Sequence, residues 1–295
     1  MIYEYDPKSK TSVILWESVA EPHPDRLTFK RESNRSNAKR NFAYKADDNQ
    51  RWYGAASVEE LQQRLKTGWA EGVKKLEAIA IKELDAPLSV RRRRIRADQG
   101  DEVDMQAVWR GDLSRAWSKT RRANRTGVRS LSIIIDLGAS AGTSANQLFW
   151  RGASALRLAD QLLTAGYNVA IYGAATAIGA AASKSLNAVQ FVEIKAEDAP
   201  FDMDKLAALT AMPGFFRTSL FTGINYSADR IDDDTDYGYG SSDQSGKHIP
   251  AALKMLPSVP QNAIIQPHNV LNKEAAEAWL AQAIEQIEAP MLEAA

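Results

Sequence analysis

From residue 131 to residue 288, patterns typical of β-strands and of α-helices alternate along the chain. The run 131–136 predicts a buried strand, and 145–165 predicts an amphipathic helix because its apolar residues recur at helical spacing. Further strands are predicted at 169–172, 189–194 and 263–266, and helical structure at 174–185 (in part), 202–211 and 273–288. The alternation predicts an α/β fold with three layers, in which helices cover both faces of a mostly parallel sheet.

The ends of the 145–165 helix carry capping signals. Ser144 and Gln147 have the spacing of a capping box, and Gly166 is the residue type expected just beyond a helix C-terminus. Its apolar face is predicted to comprise Leu148, Phe149, Ala155, Leu156, Ala159, Leu162 and Leu163. Arg151 and Arg157 are expected outside that face.

Residues 1–127 predict a basic α+β accessory region, and the α/β domain is expected to span 128–290. The first 50 residues predict little structure beyond a strand at 11–16, and 31–40 predicts a loop because it is polar and lacks periodicity. Ser57 and Glu60 indicate the capping box of a helix that extends to about residue 82 and is ended by Pro87. Far along the chain, 229–246 is rich in Asp, Gly and Ser and predicts a mobile acidic loop.

The net charge of zero conceals an uneven distribution. Residues 1–130 carry 27 Lys and Arg against 19 Asp and Glu, whereas residues 131–295 carry 10 against 18. The two halves can therefore attract each other, or the basic half can face a polyanion. The candidate phosphate-binding residues are Arg91, Arg92, Arg93, Arg94, Arg96, Arg121 and Arg122. The favoured interpretation of this cluster is a face that is either solvated or paired with acidic residues, for which the acidic loop at 232–236 is a candidate.

The chain contains no cysteine, which excludes disulfides, thiolate metal sites and cysteine nucleophiles. No apolar run is long enough to span a bilayer. Both features fit a cytoplasmic protein with no membrane partner.

The loop after the 131–136 strand concentrates oxygen-bearing side chains. It contains Asp136, Ser140, Thr143 and Ser144, and ligands of such sheets bind beyond the carboxyl ends of the strands. A carboxylate and hydroxyls beside a helix N-terminus suit a hard cation such as Mg²⁺. The same residues are also typical of a simple strand-to-helix turn with caps and no bound cofactor.

These residues resemble the metal-ion-dependent adhesion site of the von Willebrand factor A domain family, whose fold is Rossmann-like. That family places D-x-S-x-S after its first strand, and Asp136 and Ser140 match the Asp and the second Ser. Gly138 stands in place of the first Ser. For the family's Thr, the candidates are Thr176, Thr218 and Thr222, and the tripeptide after the last strand, 267–269, lacks the family's Asp. The resemblance covers about residues 128–290 and implies a degenerate metal site with Asp136 and Ser140 as ligands.

The resemblance implies a non-enzymatic protein-interaction or adaptor protein. Its docking residues would be Asp136, Gly138, Ser140, Thr143, Ser144, Thr176 and Thr218. Residues 52–72 and 100–112 look similar to segments that precede the A domain in some bacterial and phage-encoded proteins, certain of which work beside AAA+ ATPases of the MoxR or chelatase type. An AAA+ ATPase or a virion component is therefore the expected partner, and the host cytoplasm the expected location if the protein is phage-encoded.

Two other functions remain open at this stage. Residues 138–142 read G-x-S-x-G between a strand and a helix, which is the context of a hydrolase nucleophile, and Ser140, Asp198 and His268 follow in the required order. No HGG-type oxyanion segment precedes them, and few strands lie upstream. The other alternative is a nucleic-acid-binding protein that uses the Arg-rich N-terminal half.

Overall fold

The computed structural model describes residues 1–82, 84, 92–97, 102–113, 116–122, 130–179, 182–183, 186–235 and 241–292. Three sequence predictions lie outside these residues: the helix end at Pro87, the contribution of Arg91, and the part of the acidic loop at 236–240.

The strands, in chain order, are β1 (Ile2–Asp6), β2 (Thr11–Trp16), β3 (Arg92–Ala97), β4 (Glu102–Val103), β5 (Trp117–Arg122), β6 (Ser130–Asp136), β7 (Asn168–Ile178), β8 (Asn187–Lys195) and β9 (Ile264–Gln266). The helices are α1 (Glu32–Phe42), α2 (Asn49–Tyr53), α3 (Val58–Thr67), α4 (Ala70–Leu76), α5 (Met105–Trp109), α6 (Ala145–Thr164), α7 (Met203–Thr210), α8 (Phe221–Arg230), α9 (His248–Leu253) and α10 (Lys273–Leu292). A π-helical turn, Phe216–Leu220, precedes α8. Within the described part of the chain, no helix combines the length and apolar character needed to cross a membrane.

A six-stranded mixed sheet with the order β1-β2-β8-β7-β6-β9 forms the centre of the α/β fold. The pairs β2–β8, β7–β6 and β6–β9 are parallel, whereas β1–β2 and β7–β8 are antiparallel. The predicted α/β class with a mostly parallel sheet is confirmed. The described residues of 174–185 form no helix, because β7 continues to Ile178 and pairs with β8 in antiparallel register, so the helix expected there is wrong. The connection 179–186 is shorter than the dozen or so residues that a parallel crossover needs.

Helices pack on both faces of this sheet. Alternate residues of β6 point to opposite sides: Ile133 and Ile135 join the core formed with α6, whereas Ile134 packs with residues of α9. The predicted ends of the long helix are confirmed, since α6 begins after Ser144, which makes the capping box with Gln147, and Gly166 follows with a φ of 89°.

The N-terminal residues are part of the main sheet, not only an accessory layer. The strand β2 lies in parallel register with β8, and β1 extends the same edge, so the expected boundary near residue 127 does not separate them from the α/β domain. Residues 31–40 were expected to form a loop but lie mostly in α1. This helix has no apolar stripe, and polar contacts fix its start. Both carboxylate oxygens of Asp229 accept backbone N–H groups there, from Lys30 and Arg31, at 2.8 Å.

The described part of the acidic loop is held by the N-terminal region. Asp229 belongs to α8 and is buried, which contradicts the prediction that a mobile loop begins there. Lys30 pairs with Asp232 at 3.1 Å, and Arg31 pairs with Asp234 at 2.9 Å. The expected attraction between the basic and acidic halves is therefore present, and the basic residues that make these two ion pairs lie just before α1.

The helix predicted from residue 57 to residue 82 is divided into α3 and α4. Ser57 is the N-cap as expected, and its side chain accepts the N–H of Glu60. Gly68 ends α3 with a φ of 96°, and a Cβ at this position would lie 2.5 Å from the Cβ of Asp204. The N–H of Trp69 donates to the Asp204 carbonyl at 2.9 Å, so contact with α7 causes the break.

Candidate functional site

Asp136 lies at the carboxyl end of β6, where the sequence predicted the site, but it is only 1% exposed. Its Oδ1 accepts the N–H of Gly138 at 2.9 Å, and its Oδ2 accepts the N–H of Asp243 at 3.0 Å. Both carboxylate oxygens are therefore engaged by backbone donors, one from its own loop and one from a segment more than a hundred residues later.

Residues 241–249, which we call the covering segment, lie over Asp136. Ser241 forms a short β-bridge with Thr176, whose Oγ1 donates to the Ser241 carbonyl at 3.0 Å. A Cβ on Gly138 would stand 2.2 Å from the same carbonyl oxygen. The absence of a side chain at Gly138 is thus what allows the covering segment to close on the loop.

Asp243 fixes the rest of the covering segment. Its Oδ2 accepts the N–H of Ile249 at 2.8 Å, and its Oδ1 accepts from Ser245 Oγ at 2.8 Å and lies 3.0 Å from His248 Nδ1. Burial alone would raise the pKa of Asp243, but the bonds from Ile249, His248 and Ser245 together hold it below its ordinary value. An ionised Asp243 therefore connects the start of α9, through the Ile249 N–H, to the carboxyl end of β6, where its own N–H donates to Asp136.

Burial raises the pKa of Asp136 to about 6, and the nearby charge of Asp243 acts in the same direction. The neighbouring Arg151 and the two backbone N–H donors oppose this rise. A carboxyl group with this pKa changes its charge close to neutral pH, which an exposed aspartate does not do.

Arg151, expected outside the apolar face of α6, is instead only 3% exposed. Its Nη1 donates to the carbonyls of Asp136 at 2.6 Å and Gly138 at 2.7 Å, and its Nη2 donates to the His268 carbonyl. The guanidinium therefore links α6 to the loops that follow β6 and β9. Burial lowers the pKa of Arg151, and the charge of Asp136 partly restores it.

A second buried arginine, Arg217 in the π-helical turn, holds the other side of the same loop. Its Nη2 donates to the carbonyls of Ser140 at 3.1 Å and Thr143 at 2.7 Å, and its Nη1 donates to the Trp52 carbonyl at 2.5 Å. Its guanidinium carbon lies 4.0 Å from the centroid of the Trp52 ring. Burial lowers the pKa of Arg217 to about 10.

The tip of the loop faces solvent. Ser140, Ala141 and Gly142 are exposed, and Thr143 and Ser144 are partly exposed. Ser140 Oγ and Thr143 Oγ1 lie 3.2 Å apart, and Ser144 is engaged in the capping box of α6. The exposed hydroxyls thus sit on a backbone whose carbonyls are bound from below by Arg217.

The predicted metal ligand Asp136 is enclosed by backbone in this arrangement. Both oxygens of Asp136 already accept backbone N–H groups, and the Ser241 carbonyl occupies the space beside Gly138. Thr218 Oγ1 donates to the Gly214 carbonyl at 2.7 Å and is buried within its own helical turn. In the part of the chain that the structure describes, no three His, Cys, Asp or Glu side chains gather around one point that could hold a metal.

The structure separates Asp198 from Ser140, so the predicted hydrolase triad is not assembled. Ser140 follows the carboxyl end of β6, at the edge where Asp136 pairs with Ala174. Asp198 follows β8, whose last residue, Lys195, pairs with Ile171 near the opposite end of β7. Because β8 runs antiparallel to β7, Asp198 and Ser140 lie beyond opposite ends of the strands in this sheet.

Of the seven predicted docking residues, Asp136, Gly138, Thr176 and Thr218 are buried. Only Ser140, Thr143 and Ser144 offer surface to a partner. The surface that a partner could reach at this loop is therefore smaller than the sequence predicted.

A cavity of about 380 Å³ opens beside the exposed loop. Trp69, Phe149 and Met212 supply its apolar wall, while Arg51 and Lys75 bring positive charge and Asp48 a negative one. Its remaining lining comes from Gln50, Gly54, Ser144, Ala145, Asn146 and Ala211. The start of α6 therefore borders both the loop and the cavity.

Arg151, Arg217 and Asp243 were not predicted from the sequence as parts of the site. One signal was present for Arg151, which lies three residues after Leu148 and four before Ala155, in line with the buried stripe. Nothing in the sequence distinguishes Arg217 or Asp243, because their partners come from distant segments.

Replacing Asp136 with asparagine is expected to change how stability depends on pH. The folded pKa of about 6 exceeds the ordinary value of 3.8, so the folded state binds more protons between pH 4 and pH 6. The free energy of unfolding of the wild type should therefore fall as pH rises through this window, by up to about 3 kcal/mol relative to D136N. Urea unfolding of both proteins at several pH values measures this difference. A constant difference between pH 4 and pH 7 would contradict the assignment.

A family model described as "Domain of unknown function (DUF7192)" matches residues 9–289. Neither the curated proteins nor the solved structures contain a match to this chain.

Proposed function

We propose that this chain, which belongs to the DUF7192 family, is a non-enzymatic protein-interaction protein. Its docking surface comprises residues 140–146 and the cavity beside them, which we call the loop surface. The observation that carries the proposal is the anchoring of an exposed loop from below by two buried arginines.

Anchoring of this kind reduces the cost of binding. The carbonyls of Gly138, Ser140 and Thr143 accept hydrogen bonds from Arg151 and Arg217, so the loop is already fixed before a partner arrives. A surface that need not be ordered on binding retains more of its interaction free energy. Three consecutive small residues, 140–142, are exposed at its tip and leave room for close approach of another chain.

The charges around the loop surface favour an acidic partner segment. Arg217 lies beneath it and donates to carbonyl groups, and Arg51 and Lys75 line the cavity. Asp48 is the only acidic residue of the cavity lining. The N-terminus of α6 adds the positive end of a helix dipole at the same place. A carboxylate-bearing side chain beside an apolar one is the partner group that suits this surface.

The finer assignments belong to the same proposal. They are a von Willebrand factor A-like, Rossmann-like domain with a degenerate metal site, an adaptor role in the cytoplasm, phage origin, and an AAA+ ATPase or virion component as the partner. Asp136 at the end of β6 and helices on both faces of the sheet support the domain assignment. The lack of cysteine supports the compartment.

Ala141→Glu is expected to abolish partner binding without unfolding the protein. Ala141 is exposed at the tip of the loop, so an acidic side chain there blocks close approach and repels a carboxylate-bearing partner but leaves the core intact. The matched control is Ala251→Glu on α9, because Ala251 is also exposed and α9 packs on the other face of the sheet. Affinity capture from the native host with the three tagged full-length proteins, followed by mass spectrometry, should return a partner with the wild type and A251E but not with A141E.

Two outcomes contradict the proposal. One is a partner that is retained by A141E and lost by A251E, which would move the docking surface to the other layer. The other is hydrolysis of a generic ester by the wild type that Ser140→Ala abolishes, which would make Ser140 a nucleophile.

A further inference from the structure

We propose that the β3–β5 ribbon and the helical connection α5 bind single-stranded nucleic acid. The two basic stretches of the sequence are separated by about twenty residues, yet the structure pairs them as adjacent antiparallel strands. β3 contributes Arg92, Arg93, Arg94 and Arg96, and β5 contributes Lys119, Arg121 and Arg122. Neither strand contains an acidic residue. Charges that look dispersed along the sequence therefore share one small sheet.

The register of this ribbon places like charges opposite each other. Arg92 pairs with Arg122, and Arg93 pairs with Arg121. A polyanion that follows the ribbon would neutralise several of these basic residues at once, which is the usual source of affinity for phosphates.

Exposed apolar side chains adjoin the ribbon. The chain between β4 and β5 carries Met105, which is 54% exposed, Trp109, which is 80% exposed, and Leu113, which is 63% exposed. An indole ring this exposed is unfavourable in water but offers a stacking platform for an unpaired base. Stacking requires bases that are free of a duplex, which favours a single strand over double-stranded nucleic acid.

This surface is distinct from the loop surface and does not depend on the proposed protein interaction. Cations that bind phosphates together with an aromatic ring that stacks on bases form the usual combination for single-strand binding without sequence preference. An acidic protein would use the charges but leave Trp109 without a role.

Binding of a labelled single-stranded oligonucleotide to the full-length protein, followed by fluorescence anisotropy, tests the proposal. Affinity should fall steeply with salt, with a log–log slope of about −0.7 for each phosphate contacted. A duplex of the same length should bind more weakly. Affinity that is flat from low to moderate salt, or equal for both forms, would overturn the proposal.

A charge-matched pair of variants locates the binding surface. R92Q/R93Q/R121Q/R122Q removes the two opposed pairs and should weaken binding at least about tenfold and make the salt slope shallower. The control K8Q/K66Q/K74Q/K254Q removes four charges from exposed lysines elsewhere and should bind within about twofold of the wild type, because it removes no proposed phosphate contact. An equal loss in both variants would mean that only net charge matters and would overturn the proposal.

Trp109→Ala provides a second test that leaves the charges in place. Loss of one stacked base should weaken binding about 5- to 100-fold without changing the salt slope. Trp109→Phe keeps an aromatic face and should recover part of the affinity. Wild-type affinity in W109A would contradict a stacking role and, with it, the preference for a single strand.

Discussion

Replacing Arg151 with methionine is expected to lower the free energy of unfolding by about 3–5 kcal/mol, because a buried cation is removed from the acceptors that it satisfies. Methionine retains much of the apolar volume but cannot donate to the carbonyls of Asp136, Gly138 and His268. It also withdraws the positive charge that lowers the pKa of Asp136, so that pKa should rise further. Chemical denaturation at pH 7 measures the loss.

Arg157→Met is the matched control on the same helix. Arg157 is 22% exposed and makes one ion pair, with Asp160 at 3.4 Å, so its replacement should cost less than about 1 kcal/mol. Equal losses for R151M and R157M would mean that the carbonyl contacts of Arg151 contribute little to stability.

A double-mutant cycle with Asp136→Asn separates the charge of Arg151 from its hydrogen bonds. In the D136N background the carboxylate that Arg151 stabilises is absent, so R151M should cost less by about 0.5–3 kcal/mol at pH 7. The part of the loss that persists in D136N belongs to the three carbonyl contacts. Strict additivity would show that Asp136 and Arg151 do not interact.

The elements that sequence analysis predicted well are those whose signals are local. α6 has an N-cap at Ser144, apolar residues at helical spacing and Gly166 beyond its end, and the structure reproduces each of these. β6 is an apolar run that ends in a polar residue, and its position is likewise reproduced. Caps and periodicity act within a few residues, so a single sequence contains the information.

The elements that were missed depend on distant partners. α1 is polar on all sides, and its start is fixed by Asp229, about two hundred residues later. Helix α3 ends at Gly68 because Asp204 of α7 lies against it. Such contacts leave no periodic pattern in the sequence, and they explain why a loop and one long helix were predicted instead.

In the candidate site, too, the residues that were predicted have local signals and those that were missed depend on distant contacts. Asp136, Ser140 and Ser144 were found because a strand end followed by small and hydroxyl residues is visible in the sequence. The covering segment was not found, because its contacts with Asp136, Gly138 and Thr176 cross more than sixty residues of chain. Without that segment, a buried carboxylate closed over by backbone cannot be told from an open metal ligand.

Gly138→Ser, the substitution that would supply the hydroxyl missing from the family pattern, is expected to displace the covering segment. A Cβ at Gly138 would lie 2.2 Å from the Ser241 carbonyl oxygen and 3.0 Å from Asp136 Oδ1, and neither the Ser241 backbone nor the buried Asp136 carboxylate has much room to yield. Overpacking of this kind costs about 1–3 kcal/mol. The free energy of unfolding should fall by this amount, and the amide of Asp243, which is bonded to Asp136, should exchange with deuterium faster.

Gly142→Ser supplies the matched control in the same loop. A Cβ there would meet only Ser140 Oγ at 3.9 Å, so stability should change by less than about 0.5 kcal/mol and exchange in 241–249 should stay at the wild-type rate. Faster exchange confined to G138S would establish that Gly138 is required for closure of the covering segment over Asp136. If Mg²⁺ then stabilises G138S but not the wild type, the glycine at position 138 prevents metal binding by allowing the covering segment to close. Stabilisation of the wild type by Mg²⁺ would mean instead that the covering segment opens to admit a cation.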